Sequence, residues 1–376
     1  MRVLELAQIM AGPTAGMMLA DMGADVIKVE KLPGGDDSRG YSEPQVNGVS
    51  APFMILNRNK RGIALNLKHA DGRAILLKMV RNADVLTENY RKGTLEKLGL
   101  GYDVLAAENP GLIYCAVSGF GRNGPLGDKG GFDLIAQGFA GLMSITGEPG
   151  GPPAKTGNSV ADINAGILAV AGILAAYAHK LKTGEGQVVD TSLMEAALQQ
   201  TYWHAAIYFA TGQSPGATGS AHILTAPYQA FRASDGWINI GGANQANWER
   251  ITDVLGRPEW RDDLRFATNA ARMKNIDALA EAMNNVIAQA AEASGSQHSK
   301  RQGFRSGRCT PSPRRSSTRR RSHAEWSSMC SIRAQALSID RLSAAFLSHS
   351  HRRKRPSPLL GEHTREVLRE IGLRRR

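Results

Sequence analysis

"RVLELAQIMAGPTAGMMLADMGADVIKVE", residues 2–30, sets two β-like runs, "RVLELA" and "ADVIKVE", on either side of the helical stretch "TAGMMLADMG". Strand, helix and strand in that order make a βαβ unit, whose two strands lie parallel. The first run ends in "AGP", which places Gly12 at the turn and Pro13 at the start of the helix. Helix amino termini entered in this way collect phosphates and carboxylates. No G-x-G-x-x-G follows the first strand, so the segment gives no support to a nicotinamide cofactor.

The alternation continues along the chain. The runs "IALNL", "ADVLTEN", "LIYCAVSGFG" and "QVVDTSL" are separated by helical stretches such as "DGRAILLKMVRN", which predicts a large α/β domain with a mainly parallel sheet over residues 1–195. After a linker over 196–223, the stretch "APYQAFRASDGWINIGGANQANWERITDVLGRPEW" reads as two strands closed by a Ser-Asp-Gly turn, then a glycine loop and a helix. It predicts a smaller α/β domain over 224–290. Residues 291–355 are rich in arginine and serine with no hydrophobic period, and read as a disordered arm. An amphipathic helix returns in "RPSPLLGEHTREVLREIGL", so that 356–376 is expected to complete the large domain.

The chain has 376 residues, 42% of them hydrophobic, and a formal net charge of +12. Such a charge points to nucleic acid or an anionic surface unless it is local. It is local: residues 300–355 hold 15 lysines and arginines against 2 acidic residues, and the remainder is near neutral. A basic nucleic-acid-binding protein on an inactive scaffold is therefore the alternative reading outside enzymes, and specific nucleic-acid binding is not expected. The most apolar run, Ala165 to Ala178, is short for a bilayer, and Glu5 and Asp21 do not suit a signal peptide. The expectation is a cytoplasmic protein without membrane contact. Cys115, Cys309 and Cys330 form no C-x-x-C pair, which argues against a disulfide framework or a structural metal.

One carboxylate, Asp162, heads the long small-residue run of "KTGNSVADINAGILAVAGILAAYAHK", residues 155–180. Ser159-x-x-Asp162 fits a capping box, in which Asp162 complements the helix dipole. The same position keeps a carboxylate ionised, as a nucleophile requires.

These surroundings resemble the family III CoA-transferases, which include formyl-CoA transferase, carnitine CoA-transferase and 2-methylacyl-CoA racemase. The matching blocks are "VLELAQIMAGPTAGMMLADMGADVIKVE" with "GDDSRG", "NRNKRGIALNLK", "ADVLTENYRKGTLEKLGLGYDVL", "NPGLIYCAVSGFGRNGPL", "GGFDLIAQGFAGLM", "VADINAGILAVAGILAA", "TGEGQVVDTSLMEA" and "PLLGEHTREVL". The resemblance implies a Rossmann-like large domain, a smaller α/β domain and an interlocked homodimer. It also implies transfer of coenzyme A, carried as an acyl-CoA substrate, to a free carboxylic acid. In that chemistry Asp162 is the nucleophile, passing through an aspartyl anhydride and an aspartyl-CoA thioester. The loop Gly241, Gly242, Ala243, Asn244 and Gln245 matches the family's mobile glycine loop over the acyl group, with Phe132 and Asp133 beside it. As an isolated pattern that loop is equally a strand-to-helix turn. By position, the CoA contacts would be Met10, Ala11, Lys31, Leu65, Asn66, Leu67, Lys68, Asn89, Tyr90, Arg91 and Lys97, with the lysines and arginine facing phosphates. The family's racemases use a histidine where this chain has Phe132; a phenyl ring exchanges no proton, so racemisation is the second enzymatic alternative.

The family continues after the small domain with a block like "AAGVPxGPVxTxxE", whereas this chain has "KRQGFRSGRCTPSPR". GC-rich codons for Lys300 to Arg314, read two bases later, encode Ala-Ala-Gly-Val-Pro-Phe-Gly-Pro-Val-Tyr-Thr-Val-Ala-Glu. Because those codons are chosen from the permissible ones, the expectation they support is a pair of compensating frameshifts across roughly 290–355.

Overall fold

A computed structural model describes residues 1–289, 305–308 and 355–373. Six strands, β1 (Arg2–Glu5), β2 (Asp25–Glu30), β3 (Arg61–Ala64), β4 (Val85–Glu88), β5 (Ile113–Ser118) and β6 (Val188–Ser192), are the apolar runs read above. They form one wholly parallel sheet in the order β3-β2-β1-β4-β5-β6. The chain builds outward from β1 on one side, then returns to build outward on the other. The reversal lies between β1 and β4, and in such sheets ligands bind at the carboxyl ends of the strands flanking that point.

Strands covered on both faces need apolar residues at successive positions. Leu4, Ile27, Ile63, Leu86 and Tyr114 meet Leu76, Val80 and Leu105 in one buried cluster. Helix α1 (Ala11–Asp21) follows β1, as read, but the turn is not made by Gly12. It is made at Ile9, with φ +68°, while Gly12 lies in the first turn of α1, where a Cβ would stand 2.2 Å from the Ala7 Cβ. Close approach, not a turn, is what that glycine supplies.

Helices α2 (Asp133–Phe139) and α3 (Val160–Thr183) complete the part of this unit that matters for the site. At 24 residues α3 is longer than the apolar run read from the sequence, and by length and composition alone it is long enough to cross a membrane. Its buried stripe, Ala161, Ala165, Ala169, Val170, Ile173 and Ala176, is the seam of a core helix. Gly166 packs on Thr14 and the Ala11 carbonyl, and Gly172 on Val189.

The carboxyl-terminal helix Thr364–Glu370 does return to this sheet. Arg61 of β3 donates to Glu366 at 2.9 Å, to Glu370 at 2.6 Å and to Asp25 at 2.6 Å. Val367 joins the main core.

The described residues divide into two compact units. The first holds Met1–Leu142, Lys155–Tyr202 and 355–373; the second holds Met143–Ala154, 203–289 and 305–308. In the second, β7 (Tyr228–Ala233) and β8 (Gly236–Gly241) pair antiparallel across Ser234-Asp235, the hairpin read from the sequence. Helices α4 (Gln245–Val254) and α5 (Ile276–Ile287) cover the hairpin. Phe231, Ile238, Ile240, Trp248, Ile251, Leu279 and Met283 form its core. The stretch 196–223, read as a linker, contains the helix Tyr202–Thr211.

A third strand, β9 (Arg305–Arg308), pairs antiparallel on β8 from Gly241↔Arg305 to Ile238↔Arg308. It lies inside the stretch expected to be disordered, and for these four residues that expectation is corrected. "RSGR" has no apolar alternation to announce a strand; main-chain pairing to the open edge of β8 needs none. Arg355, at the end of the same stretch, is placed as well: its N–H donates to Asn59 Oδ1 and its carbonyl accepts from the Asn59 N–H, each at 2.9 Å. Residues 291–304 and 309–354, with the arm and frameshift readings attached to them, lie outside the described residues.

Candidate active site

Asp162 sits in the first turn of α3, half-buried. The capping box is not formed: Ser159 precedes the helix without a side-chain cap. Asp133, from the start of α2, takes that role instead. Its Oδ1 accepts from the Ala161 N–H at 2.9 Å and from the Asp162 N–H at 3.4 Å. Gln137, fully buried, donates to the other Asp133 oxygen at 2.7 Å and accepts from Thr156 N–H at 2.9 Å. Two carboxylates from different segments thus meet at one helix start. Phe132 precedes Asp133 with its ring 77% exposed.

Burial, reinforced by the Asp133 charge, pushes Asp162 up to about 6 from the usual 3.8. This corrects the expectation that the helix terminus keeps the carboxylate firmly ionised. A helix dipole contributes about 0.3–1 kcal/mol, less than one pKa unit. That the carboxyl is nonetheless raised shows that burial and the like charge outweigh the dipole. Among the described residues no hydrogen-bond donor reaches the Asp162 carboxylate.

Of the proposed CoA residues, Met10, Ala11, Asn89, Tyr90 and Arg91 follow β1 and β4 at the sheet's reversal point, whereas Lys31 follows β2, residues 65–68 follow the edge strand β3, and Lys97 ends the short helix Thr94–Lys97. Asn89, just after β4, accepts from the Gln8 N–H at 2.9 Å and donates to the Gln8 carbonyl at 2.8 Å. That reciprocal pair clasps the Gln8–Ala11 segment to the Asn89–Arg91 segment. Beside it a crevice is lined by Ala7, Gln8, Lys28, Lys31, Asp36 and Tyr90. Lys31 is exposed and ion-paired with Asp37. Lys68 and Lys97 are exposed, and Arg91 lies against Gly130. Leu65 is buried, its N–H donating to the Glu30 carbonyl at 2.9 Å, whereas Asn66 is exposed and Leu67 packs on the main core.

Beneath the crevice is a buried charge cluster that pattern reading missed. Lys28 Nζ lies 3.0 Å from Glu5, 2.8 Å from Asp36 and 2.9 Å from the Ala7 carbonyl. Lys60 Nζ approaches Glu5 at 2.8 Å and also donates to the Pro13 carbonyl at 3.0 Å. Burial and the neighbouring Lys28 outweigh Glu5 and lower Lys60 to about 8. Burial works against Lys28 too, but Glu5 and Asp36 hold its ammonium above the ordinary lysine value. Gly16 makes room for this cluster, since a Cβ there would stand 1.6 Å from a Glu5 oxygen. The available signal was charge inside buried strands: Glu5 in "RVLE" and Lys28 in "DVIKVE". Buried ions survive only when paired.

The glycine loop lies on the second unit. Gly241 ends β8, Asn244 caps α4 by accepting from Asn247 N–H at 2.9 Å, and Gln245 begins α4. Gln245 accepts from buried Arg272 at 3.2 Å and donates to the Ala267 carbonyl at 3.0 Å. A Cβ on Gly242 would stand 2.7 Å from Ile251. The loop has the form of the ordinary strand-to-helix turn, joined at Ala243. Among the described residues no cluster of three or more His, Cys, Asp or Glu is placed to hold a metal.

Comparison with known proteins converges on this description. Succinate–glutarate CoA-transferase from Agrobacterium fabrum is 44% identical over 278 residues, 72% of this chain and 70% of its own. Acetyl-CoA:oxalate CoA-transferase from Acetobacter aceti is 39% identical over 288 residues, 76% of this chain and 74% of its own. The mouse succinyl-CoA:glutarate CoA-transferase is 36% identical, with 77% of this chain matching 66% of that protein. A CAIB/BAIF family protein from Brucella suis superposes with a TM-score of 0.83 at 34% identity, covering 99% of this chain and 98% of that one. The model for CoA-transferase family III matches residues 1–364. With the 3-2-1-4-5-6 sheet, the clasped loops at its reversal point and the carboxylate at the head of α3, the chain belongs to CoA-transferase family III.

Proposed function

We propose that this protein moves CoA from an acyl-CoA thioester to a free carboxylate, with dicarboxylates as the substrate class. The class rests on relatives whose names give succinate, glutarate and oxalate. The single observation that carries the chemistry is Asp162: half-buried, aligned through its main chain by Asp133, and with no described donor occupying its carboxylate. A carboxylate so placed is a nucleophile in reserve.

In the first step an Asp162 oxygen attacks the thioester carbonyl and the C–S bond breaks, giving a mixed anhydride and CoA thiolate. The thiolate then attacks the aspartyl carbonyl, releasing the donor acid and leaving an aspartyl-CoA thioester. The acceptor carboxylate attacks that thioester, and the thiolate returns to the acceptor's acyl carbon. No proton is consumed overall. Lys31, Lys68, Arg91 and Lys97 are the phosphate partners in this reading, with Lys31 exchanging Asp37 for phosphate. Met10, Ala11, the 65–67 segment, Asn89 and Tyr90 line the cofactor's path in this reading.

A homodimer belongs to the same reading. Helix Tyr202–Thr211 buries none of its residues and exposes Tyr202, Trp203, Tyr208 and Phe209 around much of its circumference, an aromatic surface suited to a second copy. Light scattering tests that part.

The mechanism is tested by trapping. Incubation with succinyl-CoA followed by borohydride converts an aspartyl thioester to an alcohol, and peptide mass spectrometry should find the change at residue 162. Turnover with no modification at that residue would refute the covalent route. Solvent deuterium appearing at the α-carbon of a 2-methylacyl-CoA would favour racemisation instead.

A further inference from the structure

We infer that Asp36 is a positioning residue for the acyl-CoA site: its carboxylate, anchored on buried Lys28, holds Ile9 in a left-handed conformation and so sets the course of the Met10–Ala11 main chain that the CoA reading uses. The inference rests on the CoA reading above and adds to it a residue whose carboxylate is taken up by donors of the protein itself.

Ile9 has φ +68°, in a region that β-branched residues avoid. Something must hold it there, because strained backbone persists only where the surroundings over-determine it. Three anchors converge on three successive residues. The Ile9 N–H points at both Asp36 oxygens, at 3.1 and 3.3 Å. Gln8 is clasped at both main-chain groups by Asn89. The Ala7 carbonyl accepts from Lys28 Nζ.

Asp36 is itself immobilised. It is 3% exposed, lies 2.8 Å from Lys28, and accepts from the Ser38 N–H at 2.9 Å and Ser38 Oγ at 2.7 Å. Its own N–H donates to Glu30 Oε2 at 2.9 Å, and Glu30 is gripped by Arg39 through two 2.7 Å contacts. A chain of charge thus runs from the centre of the sheet to one strained amide. The residues immediately after that amide are Met10, which precedes α1 without a side-chain cap, and Ala11, the first residue of the helix. Two roles follow for the anchor. It fixes the direction in which the chain leaves β1, and it occupies the Ile9 N–H, so that the next amides are the ones presented to a ligand.

Calorimetric titration of the full chain with CoA tests the inference, beside steady-state kinetics and thermal melts. Wild-type protein that fails to bind CoA would remove the CoA reading and this inference with it. If wild type binds, Asp36→Ala, folded, should weaken CoA about tenfold and raise KM for acyl-CoA while kcat stays within about twofold. Asp36→Asn, which keeps an acceptor for the Ile9 amide, should fall between the two, and it carries the test if the alanine variant does not fold. Adding Ile9→Gly to Asp36→Ala should recover most of the affinity, because glycine takes the positive φ unaided. Wild-type affinity in the folded Asp36 variants, or an affinity loss that Ile9→Gly leaves untouched, would overturn the assignment.

Discussion

Asp36 and Asp162 lie on the same unit, each at the place where a loop meets an element, and burial is the largest influence on both. Their neighbours send them in opposite directions. Lys28 and the Ser38 donors bring Asp36 down to about 2, while the Asp133 charge adds to burial and raises Asp162 to about 6. Asp36 is saturated with donors and is therefore committed to holding main chain. Asp162 has no described donor and is therefore available to react. Carboxylates of one kind are thus divided into framework and reagent by what faces them, not by how deeply they sit.

The harshest way to break this comparison is to remove the reagent. Asp162→Ala should lower transfer by at least about a thousandfold, since no bystander carboxylate can substitute for the attacking oxygen. CoA affinity measured by titration should stay near wild type, because the proposed phosphate and main-chain contacts are elsewhere. Transfer near the wild-type rate would end the assignment of Asp162, and loss of CoA binding would mean that the variant perturbs more than the nucleophile.

A smaller effect tests the neighbour. Nucleophilic attack needs ionised Asp162, so kcat should climb with pH, with a midpoint near 6, and level off above it. Asp133→Asn removes the like charge yet keeps an oxygen to cap Ala161. The midpoint should then move to lower pH but stay above the usual carboxylate value, because burial is the larger cause. A midpoint that does not move would show that the Asp133 charge is screened from Asp162.

Much of this architecture was legible before any coordinates. The runs from "RVLELA" to "QVVDTSL" became the six parallel strands because strands covered on both faces must be apolar along their length. The Ser-Asp-Gly turn closed the hairpin where it was read. The site was less legible. Asp162 does head α3, but the capping-box spacing names Ser159, three residues away, whereas the cap comes from Asp133, 29 residues upstream. Sequence spacing registers local partners and is silent about those delivered by tertiary packing. The same limit hid Asp36: nothing in "GDDSRG" says that one aspartate reaches Ile9 while Asp37 pairs with Lys31 at the surface. It also hid β9, whose pairing to β8 depends on main chain alone. Strain was the least visible of all, since turn chemistry nominates Gly12 and the chain turns at an isoleucine.

The smallest predicted effect is thermodynamic, and it reads the sign of each environment directly. Because folding raises the Asp162 pKa, the folded state holds a proton that the unfolded chain releases between about pH 4 and 6. Asp162 thus withdraws stability as pH rises through that window, by about 1–3 kcal/mol above it. Asp162→Asn should raise Tm at pH 7.5 by about 2–8 °C and leave it nearly unchanged at pH 4. Asp36 obeys the opposite sign. Its folded pKa is depressed to about 2, so its contribution is present above the ordinary carboxylate value and lost as pH falls through about 2. Asp36→Asn should therefore lower Tm at pH 7.5, with a penalty that shrinks only under strong acid. Melting curves of both asparagine variants across pH decide the matter: two variants moving Tm in the same direction at pH 7.5 would dissolve the distinction between framework and reagent, and opposite directions would sustain it.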